Sequence, residues 1–553
     1  MPFGADLDAY HSGAKGNAPL ALVEKKEKAF LGITLGEVKL LSIAGVGFMM
    51  DAYDLFIINM MYAVILLAYF PDPSKGAHHF KSNVDWGLNG GVLKASANIG
   101  NVIGQVAFGL LGDSFGRSAV YGKELIIVIV AIIIMISAPN YLGPDGVTKW
   151  IFGWRLVMGI GIGGDYPMSA AVVSDRAHLK KRGFLLSWIF SNQGWGNLVG
   201  AVVAVVVIAA YRGPVVAGDY ARLTGAWRVM QGLALVPAFA VLYFRLTLVE
   251  STRFTQARRI QDDPEILAQQ GMVAAPVDSD DDLNKKPTDG DASDVSSMEN
   301  QAVGLKFTTI GKKAHNEFIE YFSEWRHLKI LIGTSLAWFL VDITFYGINL
   351  NTSTILSAIG FTNGAATPEG QWSKLMRTAT GNLIITVAGF LPGYFFTMAT
   401  IERIGRKPIQ LVGFLLNALF LGILAGTFHW LKKDTAGFFV VFVFLQLFFN
   451  FGPNATTFII PAEAFPTRVR AGAHGISAAC GKCGAILASL GFSAIASQIG
   501  GDRGTEVDFW IFVGISILGA IVTYFLVPET KGRDADLIDR EELAAKADMG
   551  PAA

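Results

Sequence analysis

Apolar residues in this chain come in long runs separated by short charged connections. The runs show neither the narrow stripe of a soluble amphipathic helix nor the alternation of a strand. A helix needs about 20 such residues to cross a bilayer. Twelve stretches qualify, near Leu40–Tyr69, Leu88–Leu111, Leu125–Ala138, Trp150–Val173, Gly183–Ala210, Val229–Val249, Lys329–Leu350, Leu375–Met398, Ile409–Phe428, Gly437–Pro461, Gly472–Ile499 and Phe509–Val527. Six precede and six follow a polar interval. The pattern predicts an all-α integral membrane protein with 12 transmembrane helices in two six-helix bundles. Its parts are a tail over 1–39, a bundle over 40–250, a linker over 251–328, a second bundle over 329–528 and a tail over 529–553.

Composition agrees: 52% of residues are hydrophobic and only 16% charged, against about 25% charged in soluble domains. Lys plus Arg and Asp plus Glu both number 45, so no net charge points to nucleic acid. Met1 to Ala29 is polar without a secretory pattern, which leaves the first apolar helix as the insertion signal. Basic residues crowd the even-numbered connections, among them Arg117, Lys123, Arg176, Lys180, Arg253, Arg406, Lys407, Arg468 and Lys531. By the positive-inside rule both termini and the linker are cytoplasmic. The linker, with Asp278, Asp280, Asp281, Asp282, Lys285 and Lys286, is too polar to bury a core and is expected to be largely disordered. Its last part, Ala314 to Trp325, is either a short amphipathic helix on the membrane surface or a solvated spacer. Cys480 and Cys483 lie in an apolar run with no His/Cys set nearby, and read as helix-packing residues. The sequons at Asn351 and Asn454 are too near or within the membrane to be modified.

Against this apolar background the buried charges carry the information. Asp165 sits in Gly159-Ile160-Gly161-Ile162-Gly163-Gly164-Asp165-Tyr166-Pro167. An ionised carboxylate at that depth costs on the order of 3 kcal/mol, so it marks a functional site or a pair made for packing. Helix one carries Asp51 and Asp54 on one face, and helix five carries Gln193. Helix seven places Trp338, Asp342 and Tyr346 at i+4 steps along one stripe. Asn454 follows a Gly-Pro break in helix ten, and Lys482 lies in helix eleven. Aromatic stripes of this spacing also arise from packing alone. Lys94, near the outer end of helix two, reads as a lysine snorkelling to the interface.

The two halves repeat a turn. Asp113 and Arg117 flank one after the second span; Glu402, Arg403 and Arg406 flank its counterpart after the eighth. Such turns either gate neighbouring helices through charge or simply stop them, with Arg155, Arg468 and Glu463 as candidate partners. No Walker sequence and no His/Cys metal cluster occurs, so neither an enzyme, a cofactor nor an ATP-driven pump is indicated.

These motifs, the six-plus-six plan and the terminal Pro528-Glu529-Thr530-Lys531-Gly532 resemble the major facilitator superfamily. The runs Gly163-Gly164-Asp165-Tyr166-Pro167, Gly47-Phe48-Met49-Met50-Asp51, Asn450-Phe451-Gly452-Pro453-Asn454 and His474-Gly475-Ile476-Ser477 resemble its phosphate:proton symporters, the fungal high-affinity group most of all. One departure is Val249-Glu250-Ser251, where the family usually has Pro-Glu-Ser/Thr after the sixth span. The resemblance implies proton-coupled import of inorganic phosphate by alternating access, in the plasma membrane. It assigns Tyr166, Gln193, Trp338, Asp342, Tyr346, Asn454 and Lys482 to phosphate, and Asp51, Asp54 and Asp165 to protons. The chemistry fits: phosphate near neutral pH carries both acceptor oxygens and P–OH donors, so a carboxylate beside a lysine can bind it and reject fully ionised sulfate. A sugar or organic-anion porter on the same fold, or a non-transporting nutrient receptor, are the rival readings. The lysine–aspartate pair argues against the first, and the short tail of mixed charge against the second.

Overall fold

The computed structural model describes residues 35–70, 90–247, 314–365, 367–499 and 501–548. Most of the expected linker, both sequence ends and the first inter-helix connection lie outside these residues.

Among the described residues, twelve long helical segments make up the membrane body, and we number them in chain order. The first half holds α1 (Leu35–Phe56, continuing as Ile58–Tyr69), α2 (Gly91–Phe115), α3 (Lys123–Ile136), α4 (Gly143–Arg176), α5 (Arg182–Ala210) and α6 (Leu223–Gly232, continuing as Leu235–Leu246). The second holds α7 (Trp325–Asn349), α8 (Pro368–Ile385 and Leu391–Ile404), α9 (Arg406–Gly426), α10 (Thr435–Asn450 and Pro453–Ala464), α11 (Arg470–Ile499) and α12 (Gly501–Leu526). A thirteenth helix, α13 (Ala535–Asp548), follows outside the body.

Among the described residues, eleven helices are long and apolar enough to cross a membrane. The twelfth, α2, is less apolar because it carries Lys94, Ser96, Asn98, Asn101 and Gln105, all of them buried within the protein. Helix α2 packs on α4 in its own half and on α11 of the other. Helix α8 makes the matching crossing against α5. The periphery belongs to α3, α6, α9 and α12. Exposed apolar side chains such as Val130, Ile133, Val236, Phe239, Leu415, Leu419, Ile521 and Phe525 form its lipid-facing surface.

Glycine explains the α2–α4 contact. A β-carbon on Gly100 or Gly104 would strike the Leu156 or Ile160 carbonyl, and one on Gly159 would strike that of Ala97. The two backbones therefore touch, as small-residue interfaces allow in lipid. The breaks have local causes too. In α8, Pro392 cannot donate an amide, and the chain widens to a π turn over Thr386–Phe390 just before it. In α10, Gly452 is extended before Pro453, so the helix stops at Asn450 and restarts beside the bundle axis.

Residues 314–323 form the helix expected at the end of the linker. Its aromatic face, Phe318, Tyr321 and Phe322, packs on protein, against Leu331, Phe465 and Val469, and does not lie on lipid.

The glycine contact yields a stability expectation. Because a β-carbon at Gly163 would lie 2.5 Å from the Asn101 carbonyl oxygen, Gly163→Val should destabilise the first half by about 1–3 kcal/mol. A lowered melting temperature of the purified protein in detergent would register it.

Candidate functional site

Two sets of buried polar groups occupy the bundle axis. The first lies between the halves. Lys482 of α11 donates to Asp342 Oδ2 at 2.9 Å and to the Tyr346 hydroxyl at 2.8 Å, both on α7. Its Nζ also lies 4.3 Å from the Tyr346 ring centroid and 5.3 Å from that of Tyr166. The first half meets it through Gln193 of α5, which donates to the Tyr166 hydroxyl at 3.2 Å. The Gln193 oxygen accepts from Tyr394 at 2.7 Å and from Asn454 at 3.3 Å. Asn454 also donates to Tyr394 at 2.9 Å and to Asn450 at 2.8 Å. Trp338 stands beside Asp342 against Gly481, where a β-carbon would collide with the indole. The seven residues read from the sequence as one site are thus gathered in one buried place. The Lys482 ammonium and the Trp338 indole meet the single Asp342 carboxylate, and the phenols and amides surround that pair.

Aromatic rings close this cluster on two sides. Phe48, Phe190, Phe458 and His474 pack around Tyr166 and Trp338. On the other side Phe56 stacks on Tyr346 at 5.7 Å, with Phe345 and Phe390 beside it. This water-poor setting strengthens every charge interaction inside it.

The second set lies within the first half. Arg245 of α6 donates to Asp165 at 2.7 Å and to Glu124 at 3.1 Å. Asp165 also accepts from Ser169 at 2.6 Å. Gly47 makes room: a β-carbon there would collide with the guanidinium. The Asp51 carboxyl lies beside Asp165, and its Oδ2 has no hydrogen-bond partner among the described residues. Asp54 stands apart, one turn along α1, accepting from Gln231 at 2.5 Å. Arg155 donates to the Asp54 backbone oxygen at 3.3 Å, so it belongs to mid-bundle and does not serve the repeated turns.

Those turns gather at the end of the bundle that carries the basic connections, here the basic end. Asp113 accepts from the Ala471 and Gly472 amides at 3.1 and 2.6 Å, capping α11 of the other half. Arg117 pairs with Asp113 at 3.0 Å and Asp175 at 3.2 Å, and donates to the Thr467 carbonyl at 2.6 Å. Arg470 closes the set by pairing with Asp175. The second turn repeats this plan. Arg406 pairs with Glu402 at 2.9 Å and Glu463 at 2.8 Å, while Glu402 accepts from the Phe184 amide at 3.0 Å. Arg182 lies 3.6 Å from Glu463. Of the partners expected from sequence, Glu463 takes part. Arg403 does not: it is exposed, and its backbone oxygen accepts from Lys531. Across the Gly405 turn, at the start of α9, Arg406 points inward instead. Arg468 turns to Asp539 of α13 at 2.8 Å.

At the opposite end, here the far end, the buried ties between the halves are mostly neutral, and an exposed Arg212–Glu369 pair at 3.1 Å crosses beside them. Asn59 donates to the Asn349 carbonyl at 3.1 Å and accepts from Ser353 at 2.9 Å. Lys94 corrects a sequence expectation. It is 3% exposed and donates to Asn351 of the other half at 3.0 Å, so it does not snorkel to the interface.

Sequence reasoning missed Tyr394, Arg245, Glu124, Gln231, Asp175 and Asp536. An arginine inside the sixth apolar run was a legible signal; a tyrosine in an aromatic-rich span was not. Asp536 pairs with Arg470 at 3.2 Å, tying α13 to the basic end. Burial pushes the Asp536 carboxyl up, but Arg470 and the Thr467 amide and hydroxyl outweigh it and hold it at about 2. A depressed carboxylate stabilises the folded form above its unfolded value of ~3.9 and loses that contribution as pH falls toward the folded one. Protease protection of α13 should therefore be constant above pH ~4 and decline only between there and pH ~2.

Removal of Arg245 has a sharper consequence. Arg245→Met leaves two buried carboxylates without their cation, a loss of about 3–5 kcal/mol. The variant should melt earlier or fail to accumulate folded, and Arg245→Met with Glu124→Gln and Asp165→Asn should recover stability.

The sugar (and other) transporter family matches residues 40–541. A Schizosaccharomyces pombe protein provisionally named an inorganic phosphate transporter is 44% identical over 98% of this chain and 95% of its own length. The inorganic phosphate transporter PHO84 of Saccharomyces cerevisiae is 37% identical, over 91% of this chain and 84% of its own. The repressible high-affinity phosphate permease of Neurospora crassa is 34% identical, over 93% and 87%. Among solved structures, the proton:xylose symporter XylE superposes with a TM-score of 0.63 at 20% identity, covering 92% of this chain and 98% of XylE. That likeness gives the fold. The chain is a multi-pass membrane transporter with the major facilitator fold, not an enzyme, and it belongs to the sugar (and other) transporter family, in the branch that includes these fungal phosphate transporters.

Proposed function

We propose that this protein imports inorganic phosphate together with protons, by alternating access, across the plasma membrane with both termini cytoplasmic. The observation that carries the reading is the Lys482–Asp342 pair buried among phenols and amides of both halves. A sugar site would have no use for that pair. Phosphate does: its oxygens take the Lys482 ammonium and the Tyr166, Tyr346, Gln193, Asn454 and Trp338 donors, and its P–OH donates to Asp342. The ion exchanges for contacts the side chains now make with one another, so no charge is left bare when the site empties. The relatives named as phosphate transporters support the same substrate.

Protons are assigned to the Asp51, Asp54 and Asp165 group. Two ionised carboxylates side by side repel; a proton between Asp51 and Asp165 turns the repulsion into a bond. An anion entering a negative-inside cell climbs about 2.3 kcal/mol per charge per 100 mV, which the protons offset. The positive-inside rule makes the basic end cytoplasmic. In the geometry described here its buried ion pairs hold that end shut, and breaking them is the step that would open the site inward.

Two measurements in proteoliposomes bear on this. Asp342→Asn, which trades a charged acceptor for an amide that can also donate to sulfate, should narrow the preference for phosphate over sulfate by about ten- to hundredfold, the worth of a hydrogen bond to a charged acceptor; an unchanged ratio would remove the P–OH argument. Asp51→Asn should abolish accumulation driven by a proton gradient while phosphate counterflow continues. Undiminished accumulation would refute the proton role.

A further inference from the structure

A separate cavity of about 260 Å³ opens at the far end, between the halves. Two lysines line it: Lys94 from the start of α2 and Lys374 from the start of α8. Its other polar wall includes Ser353, Thr354, Ser357, Thr378 and Gln371, and among the described residues no aspartate or glutamate lines it. Lys94 is almost wholly buried, and its one described hydrogen bond goes to a neutral oxygen, Asn351 Oδ1. The Tyr62 ring lies 5.4 Å away as a second, weak partner. Among the described residues no carboxylate pairs with it. This is unlike Lys482, which has Asp342. A buried ammonium without a counter-ion is costly, and it has three protons to donate and no acceptor capacity. Lys374 brings a second ammonium to the same lining, with the Ser353, Ser357 and Thr378 hydroxyls beside it, so the space is rich in donors around the carboxylate-free Lys94.

We infer that this cavity is an outer capture site for a tetrahedral oxyanion, a station the ion occupies before it reaches Lys482. The inference rests on the proposed reading of the chain as a phosphate importer. One lysine belongs to each half, so an anion held here bridges them. To take the ion, Lys94 must share or give up its bond to Asn351, one of the ties that join the halves at this end. Asn59 and the Phe56–Phe345–Phe390 group lie between this cavity and the central site. The cavity serves encounter and not coupling. Its charges raise the local concentration of anion, an effect that acts on association and is screened by salt.

The full-length protein in liposomes, supplied with labelled phosphate, tests this. At low ionic strength, Lys94→Gln combined with Lys374→Gln should raise KM for phosphate about tenfold with kcat unchanged. The salt dependence of uptake at low phosphate should flatten with it. Lys94→Arg with Lys374→Arg should restore both. Asn351→Ala, which removes the tie but keeps the charges, should leave KM near that of the unaltered protein. A double glutamine variant with normal KM and salt response would overturn the inference. So would Asn351→Ala raising KM as far as Lys94→Gln does, since Lys94 would then act only as a tie. If the unaltered protein accumulates no phosphate, the underlying reading fails first; if it does and the variants match it, the capture site alone fails.

Discussion

A charge inside a bundle wrapped in hydrocarbon must be answered by another charge or by several hydrogen bonds. Most of what is specific in this molecule follows from that constraint. Lys482 is answered by Asp342, Asp165 by Arg245, and Arg117 by Asp113 and Asp175. Each pair ties together helices that the apolar surface alone would leave free to slide. In lipid no hydrophobic force distinguishes one helix contact from another, so register is set by these polar pairs and by the glycines that let α2 and α4 touch.

The same constraint separates the polar groups by task. The cluster around Lys482 joins the two halves, whereas the Asp165–Arg245–Glu124 group is confined to the first. Tyr166 stands next to Asp165 in sequence and faces the Lys482 side, its ring 5.3 Å from the ammonium. One turn of α4 therefore presents a hydroxyl to one set and a carboxylate to the other. The two sets thus share one turn of backbone, with Asp165 and Tyr166 as its adjacent residues.

Much of this was legible in the chain because charge stands out in apolar runs. Trp338, Asp342 and Tyr346 share a stripe by their spacing, and the Gly-Pro break marks where Asn454 restarts its helix. What the chain could not show is which way a side chain turns about its helix. Lys94 near the end of a run looks the same whether it reaches to the interface or between halves, and its partner Asn351 lies 257 residues away. Arg403 and Arg406 are equally basic, and only the rotation of the turn decides which meets Glu463. Tyr394 has no mark at all among so many aromatic residues; the π turn ahead of Pro392 aims it at Gln193.

The seams at the two ends differ in kind. One is stitched by arginines and carboxylates buried to near zero exposure, the other by buried amides, a serine and a lysine, with one ion pair, Arg212–Glu369, that is half exposed to solvent. Ordinary thermal fluctuation parts the second more readily than the first. With nothing bound, the molecule would spend its idle time ajar at the far end and sealed at the basic end, so that passage past the ion pairs is the rarer event.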